Sequence, residues 1–319
     1  MIAVTGGAGF IGSNLIKGLN ARGHDAILVV DDPAGNAGAS LSGCGISDCV
    51  DKDDFRARLR REDPALRELT AIFHEGACTD TLERDERFML ENNYRYSVDL
   101  LEYCQARGLP FIYASSAAVY GTGTEFVESP RCEHPINVYG LSKKLFDDHV
   151  REVMPASASQ IVGLRYFNVY GPGEQHKGAM ASVACHFNLQ ARNNGRVKLF
   201  KGSGGYGDGE QRRDFVFVDD VVSVNLWFLS RPHQSGIFNV GTGQSRSFND
   251  VARAIIAWHG TGVIEYVEFP KELSTAYQSF TQADMGALRR AGYTAGFVPL
   301  EDGVRRYLDW LNANLAPAT

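Results

Sequence analysis

The feature that most constrains this 319-residue chain is its first turn. Ile2-Ala3-Val4-Thr5 is an apolar, strand-prone run. Gly6-Gly7-Ala8-Gly9-Phe10-Ile11-Gly12 follows it directly, ahead of a segment whose apolar positions recur at helical spacing. In a strand-to-helix turn of this kind Gly6 permits the tight reversal, Gly9 lets backbone approach a phosphate, and Gly12 allows helix and strand to pack closely. The helix N-terminus then offers unpaired amides and a positive dipole end to an anion. Asp31 closes the second apolar run 19 positions after Gly12, near the offset of roughly 20 residues at which an acid meets a ribose hydroxyl. Any tight turn favours glycine, so the loop alone leaves a plain structural reading open. Loop and acid together point to a dinucleotide.

Apolar runs over 2–5, 26–30, 71–74, 111–115 and 161–166 alternate with helical patterns over 11–20, 53–61, 89–107 and 138–154. That alternation predicts an α/β fold, a doubly wound parallel sheet of the Rossmann type. After Gly171-Pro172-Gly173 the pattern loosens, with glycine-rich stretches at 202–209 and 241–243, which predicts a smaller mixed α/β substrate domain. The expected division is a dinucleotide-binding domain over 1–170, re-entered at about 213–245 through the apolar runs at 215–218 and 238–240, and a mainly substrate-binding domain over 171–319.

A net charge of −6 argues against binding nucleic acid, which needs a basic face to neutralise many phosphates. The six cysteines are scattered without metal-type pairing, so neither a metal site nor a disulfide framework is expected. Met1 leads straight into the first apolar run, and no apolar stretch reaches membrane-spanning length. The expectation is a cytoplasmic protein without a membrane partner.

Tyr139 and Lys143 stand four apart in a helical segment and share one face. A lysine ammonium beside a phenol, with a positive nicotinamide ring, favours phenolate and makes a proton shuttle. A chain with 13 tyrosines produces such a spacing by chance easily enough, so it proves little alone. Ser115-Ser116, at the end of an apolar strand upstream, strengthens it, because a hydroxyl at a strand's carboxyl end can bond a substrate oxygen. The alternative for this serine pair is a turn cap.

These residues resemble the extended short-chain dehydrogenase/reductase family, the NAD-dependent epimerases and dehydratases, through Gly6 to Gly12, Ser116 and Tyr139-x-x-x-Lys143. The likeness runs over nearly the whole chain, through His74-Glu75-Gly76-Ala77-Cys78, Asn92-Asn93-Tyr94, Asn137-Val138-Tyr139-Gly140, Arg165-Tyr166-Phe167-Asn168-Val169-Tyr170-Gly171-Pro172, His176-Lys177-Gly178 and Phe280-Thr281-Gln282-Ala283-Asp284. Its longer motifs resemble the branch that inverts carbon six of an ADP-linked heptose in making lipopolysaccharide inner-core precursors. The resemblance implies transient oxidation to a ketone and re-reduction, with Tyr139 and Lys177 as alternate acid/bases and Ser116 and Lys143 assisting. Lys177 has a blander alternative, neutralising phosphate. Cofactor contacts implied are Gly6, Gly9, Phe10, Ile11, Gly12, Asp31, Asp32, Lys52, Glu75, Gly76, Ala77, Cys78, Thr79, Asn92, Lys143, Val169 and Lys177. Substrate contacts implied are Asn168, His186, Phe200, Lys201, Gly202, Ser203, Arg213 and Tyr277. A homo-oligomer, a pentamer, is implied as well.

The chain departs from the family pattern in places. Ala179 stands where a serine is common, and a longer glycine-rich insert at 204–211 leaves Arg212 and Arg213 both eligible for the diphosphate. The resemblance implies NADP, yet 31–51 contains no lysine or arginine, and Asp31 and Asp32 would repel a 2′-phosphate unless Lys52 intervenes. NAD is therefore a close alternative. Competing functions are a UDP-hexose 4-epimerase, a sugar-nucleotide dehydratase and a non-catalytic cofactor sensor. A dehydratase needs an acid and a base beside its hydroxyl, which Ser116-Ala117-Ala118 does not supply. A sensor has no need of Ser116, Tyr139, Lys143 and Lys177 together.

Overall fold

The computed structural model describes residues 1–32, 37–270 and 278–314. Among the described residues twelve strands are formed: β1 (Ile2–Thr5), β2 (Ile27–Val30), β3 (Asp48–Val50), β4 (Ala71–His74), β5 (Phe111–Ser116), β6 (Ile161–Tyr166), β7 (Asn168–Tyr170), β8 (Arg196–Phe200), β9 (Arg212–Phe217), β10 (Gly236–Val240), β11 (Ser245–Ser247) and β12 (Val263–Val267). Seven make one sheet in the order β10-β6-β5-β4-β1-β2-β3, with every pairing parallel. Strands β1, β2 and β4 are buried throughout, which explains their unbroken apolar runs. The doubly wound parallel sheet expected from the alternation is present.

Helices cover both faces. On one, Leu15, Ile16 and Leu19 of the Phe10–Asn20 helix pack with Val221, Val222 and Leu226 of the Val218–Leu229 helix. On the other, Phe55, Leu59, Leu100, Leu101, Phe146 and Val150 close the core. A third apolar cluster, including Phe187, Phe215, Ile255, Tyr307 and Leu308, joins a three-stranded sheet, β11-β9-β7, and a two-stranded one, β12-β8.

Two expectations need correction. The run at 215–218 does not enter the large sheet. It belongs to β9, which pairs with β7 and β11, whereas β10 alone returns to lie parallel to β6. An apolar run reports burial, not which open edge will accept it. Nor is 89–107 one regular helix. A short helix, Glu86–Met89, widens into a π-type segment, Leu90–Arg95, before Tyr96–Arg107. Asn93 accounts for the position of the widening, because its side chain exchanges two 2.9 Å hydrogen bonds with the Cys78 backbone and also reaches the Ser142 hydroxyl. Such widened turns concentrate at functional sites. Among the described residues no helix is long and apolar enough to cross a membrane.

Candidate active site

Strand order reverses at β1, which lies between β4 and β2, and ligands bind open parallel sheets at such switch points. Two adjoining cavities open there. One, of about 770 Å³, is lined by Gly6, Gly9, Phe10, Ile11, Gly12, Asp31, Asp32, Lys52, Glu75, Gly76, Ala77, Cys78, Thr79 and Asn92, with His176 and Lys177 at its other end. The other, of about 810 Å³, is walled by Ser116, Tyr139, Lys143, Asn168, Lys177, His186, Phe200 and Arg213. Phe10, Ile11, Glu75, Ala77, Thr79, Lys177 and Met180 face both.

The smaller cavity suits a dinucleotide. Gly6 has φ +64°, and a Cβ on Gly12 would sit 2.1 Å from the Gly6 carbonyl oxygen, so the loop's close turn excludes side chains at both positions. Gly9 caps the Phe10–Asn20 helix without a side chain, and the first turn carries no acid, leaving its amides to an anion. Asp31 is held for contact beside that loop, because its carboxylate accepts the Ala8 amide at 2.9 Å and the Asp32 amide at 2.8 Å. Lys52 donates to the Asn92 side chain. Among the described residues no cluster of His, Cys, Asp or Glu is arranged to hold a metal ion.

The larger cavity gathers the hydroxyl, phenol and amine side chains singled out from the sequence. Asn137 caps the Val138–Val153 helix by accepting the Gly140 amide at 2.7 Å, which fixes Tyr139 in the first turn. Lys143, one turn on and 4% exposed, donates to the Ala114 carbonyl at 2.8 Å. Ser116 ends β5 and does cap a turn, accepting the Ala118 amide at 3.1 Å, but its hydroxyl also bonds the Tyr139 phenol. The serine is therefore the turn cap and stands beside the phenol.

The expected effect of lysine on tyrosine is absent from the protein's own groups. Burial raises the Tyr139 phenol above its ordinary value, the Ser116 bond pulls it down, and Lys143 is not among the groups acting on it. The ammonium turns instead to Ala114, and burial lowers it to about 8 against the opposing pull of Glu75 and Asp147. Burial likewise lowers Lys177, opposed by Glu174. Glu174 is 1% exposed and ties down the loop carrying Lys177 through the Gly171 amide and the Ser182 hydroxyl.

Of the other expected residues, Val169 lines the larger cavity rather than the dinucleotide side. Arg213 lines it with its guanidinium 5.6 Å from the Phe248 ring centre, whereas Arg212 is turned to Ser245, so of the two it is Arg213 that reaches the cavity. Lys201, Gly202 and Ser203 are not brought to the wall; they bond Glu268, Asp208 and Gln211. Tyr277 lies outside the described residues. Lys198 and Gln190 face the cavity and were missed, although the strict alternation of burial along β8 is the kind of signal that points Lys198 away from the core.

The model of the NAD dependent epimerase/dehydratase family matches residues 2–241. The chain belongs to that family. Among its relatives, an ADP-L-glycero-D-manno-heptose-6-epimerase from Alkalilimnicola ehrlichii is 54% identical, with 97% of each chain covered. The crystal structure of a Helicobacter pylori ADP-L-glycero-D-manno-heptose-6-epimerase superposes with a TM-score of 0.83 at 33% identity, covering 98% of this chain and 96% of that one. A Thermus thermophilus UDP-glucose 4-epimerase in complex with NAD gives 0.78 at 26% identity, over 98% and 99% of the two chains. Membership in this family agrees with a cleft that pairs a glycine loop with Ser116, Tyr139 and Lys143.

Proposed function

We propose that this chain is an epimerase that inverts carbon six of ADP-D-glycero-D-manno-heptose, giving ADP-L-glycero-D-manno-heptose for lipopolysaccharide inner-core synthesis. The observation carrying this reading is that Tyr139 and Lys177, two proton-transfer groups, face one cavity that adjoins a second suited to a dinucleotide. A nicotinamide dinucleotide held there supplies reversible hydride acceptance. Tyr139 takes the hydroxyl proton in one substrate orientation and Ser116 bonds the same oxygen. After the ketone turns, Lys177 returns a proton at the opposite face; its lowered affinity for that proton suits the task. Lys143, one turn from Tyr139, assists by holding the dinucleotide, and Asn168, His186 and Arg213 bind the substrate, with Arg213 offering a planar fork to the diphosphate. Residues 1–170, rejoined in the large sheet by β10, mainly serve the dinucleotide, and most of 171–319 the sugar nucleotide.

Local charge bears on the choice of dinucleotide. Asp31, Asp32 and Asp51 stand with Lys52 at the acid-bearing end of the smaller cavity, a balance that favours NAD over the NADP implied by resemblance. Titrating both into stripped protein tests this, and tenfold tighter NADP binding would overturn it. The resemblance further implies a cytoplasmic homo-oligomer, a pentamer, which light scattering checks. For the reaction itself, NMR of carbon six after incubation with ADP-D-glycero-D-manno-heptose should show both epimers. Turnover of UDP-glucose and none of the heptose would favour a 4-epimerase instead.

A further inference from the structure

Glu75 follows β4 and faces both cavities. Its backbone amide donates to the Thr5 carbonyl at 3.0 Å, which holds the residue against the end of β1. One carboxylate oxygen, Oε1, accepts the Tyr166 hydroxyl at 2.9 Å, and that hydroxyl accepts Asn225 Nδ2 at 2.9 Å. The second oxygen, Oε2, is buried without a hydrogen-bond partner. An unpaired buried carboxylate oxygen is costly, so its retention calls for a partner. In the proposed reaction hydride passes between dinucleotide and sugar, so the hydride-carrying ring belongs where the two cavities share walls, and Glu75 is the acid on that shared wall.

We propose that Glu75 is the counter-charge for the oxidised, cationic form of the dinucleotide, and that its proton is released as that form binds. This rests on the dinucleotide reading of the cleft. The ionised carboxyl attracts a positive ring, whereas the neutral acid lets go of it and accommodates the uncharged reduced form. Burial raises Glu75 to about 7, against the lowering effects of the Tyr166 bond and the Lys143 ammonium, so both states are populated near neutrality. The groups facing it are Tyr166 from β6, Lys143 and Tyr139 from the Val138–Val153 helix, and Lys177 and Cys78 at the cavity wall. His74, next to it in β4, is held neutral by burial with a value of about 3 and does not titrate in this range. Lys143, at about 8, loses its charge as pH rises and favours the oxidised form in the same direction as Glu75.

The test separates the two. Dissociation constants of oxidised and reduced dinucleotide are measured by fluorescence titration between pH 5.5 and 9 for the wild-type chain and Glu75→Gln. Glutamine keeps an acceptor for Tyr166 and removes only the charge. At pH 5.5, where Glu75 carries its proton, the ratio of the two constants should agree between the proteins. Above pH 8 the wild type should prefer the oxidised form by about tenfold more than the variant, the effect of one charge at short range. The comparison is read at pH 9, above the value of about 8 to which burial lowers Lys143, and removing Glu75, which raises that lysine, only makes it lose its charge sooner. Equal ratios at every pH, or a gap already complete at pH 5.5, overturn the proposal. Failure of either protein to bind any dinucleotide overturns the reading beneath it. Tyr166→Phe keeps the acid and removes its hydrogen-bond donor. In that variant the rise in oxidised preference should begin at higher pH than in the wild type, and an unmoved onset counts against the proposal even where Glu75→Gln does not fold.

Discussion

Arg165 and Asp147 are both fully buried and are joined by a 2.8 Å bond from the guanidinium Nε to the carboxylate Oδ2. The pair ties β6 to the helix that carries Tyr139 and Lys143. Asp147 also accepts the Tyr113 hydroxyl at 2.8 Å and the Ser115 hydroxyl at 2.9 Å, and Arg165 reaches Glu133 at 2.6 Å. Three elements bearing site residues are therefore registered through one carboxylate. Removing one partner of such a pair strands a buried charge. Asp147→Ala should lower unfolding free energy by about 3–5 kcal/mol in urea denaturation. A loss under 1 kcal/mol would mean that the network is better hydrated than its burial indicates.

Tyr139→Phe keeps the ring and its packing while removing the proton. Dinucleotide binding should stay within about twofold, and turnover should fall by about 10²–10⁴. Lys177→Met should behave similarly. Steady-state kinetics with a parallel binding titration check both, and unchanged turnover in either variant removes that residue from the mechanism.

Gly12→Ala places a Cβ against the Gly6 carbonyl, where neither backbone has room to yield. The loop must open to accept it. Dinucleotide affinity should fall at least about tenfold, as read by the same titration, since the amides of the turn and first helical turn would no longer converge. Gly23→Ala is a poor control because of its positive φ; Gly38→Ala, with nothing near its Cβ, should leave binding unchanged.

His74 predicts an acid sensitivity. Its ring lies between the Thr5 hydroxyl, 2.6 Å away, and the Ser97 hydroxyl, 2.7 Å away, and burial lowers it from 6.5 to about 3. Below pH 6.5 the unfolded chain takes up a proton that the folded chain refuses, so stability is lost as pH falls from 6.5 toward 3. His74→Asn should be less stable at pH 7 yet lose less on going to pH 4.5. Urea melts at the two pH values measure this; an equal loss in both proteins would assign the acid sensitivity elsewhere.

Much of the framework was legible from residues alone. Unbroken apolar runs, helical periodicity and the glycine loop identified β1, β2, β4, β5 and β6 and the helices between them, because burial pattern and backbone sterics are local properties of a segment. Ser116, Tyr139 and Lys143 could be proposed for the same reason, by spacing and by position at a strand end. What tertiary structure decided was partnership. β9 joined β7 rather than the large sheet, Asn93 widened a helix to reach Cys78, Arg213 rather than Arg212 met the cavity, and Lys143 turned to Ala114. The perturbed proton affinity of Glu75 belongs to the same class. Desolvation depends on which distant segments close over a group, and no local stretch of sequence records that.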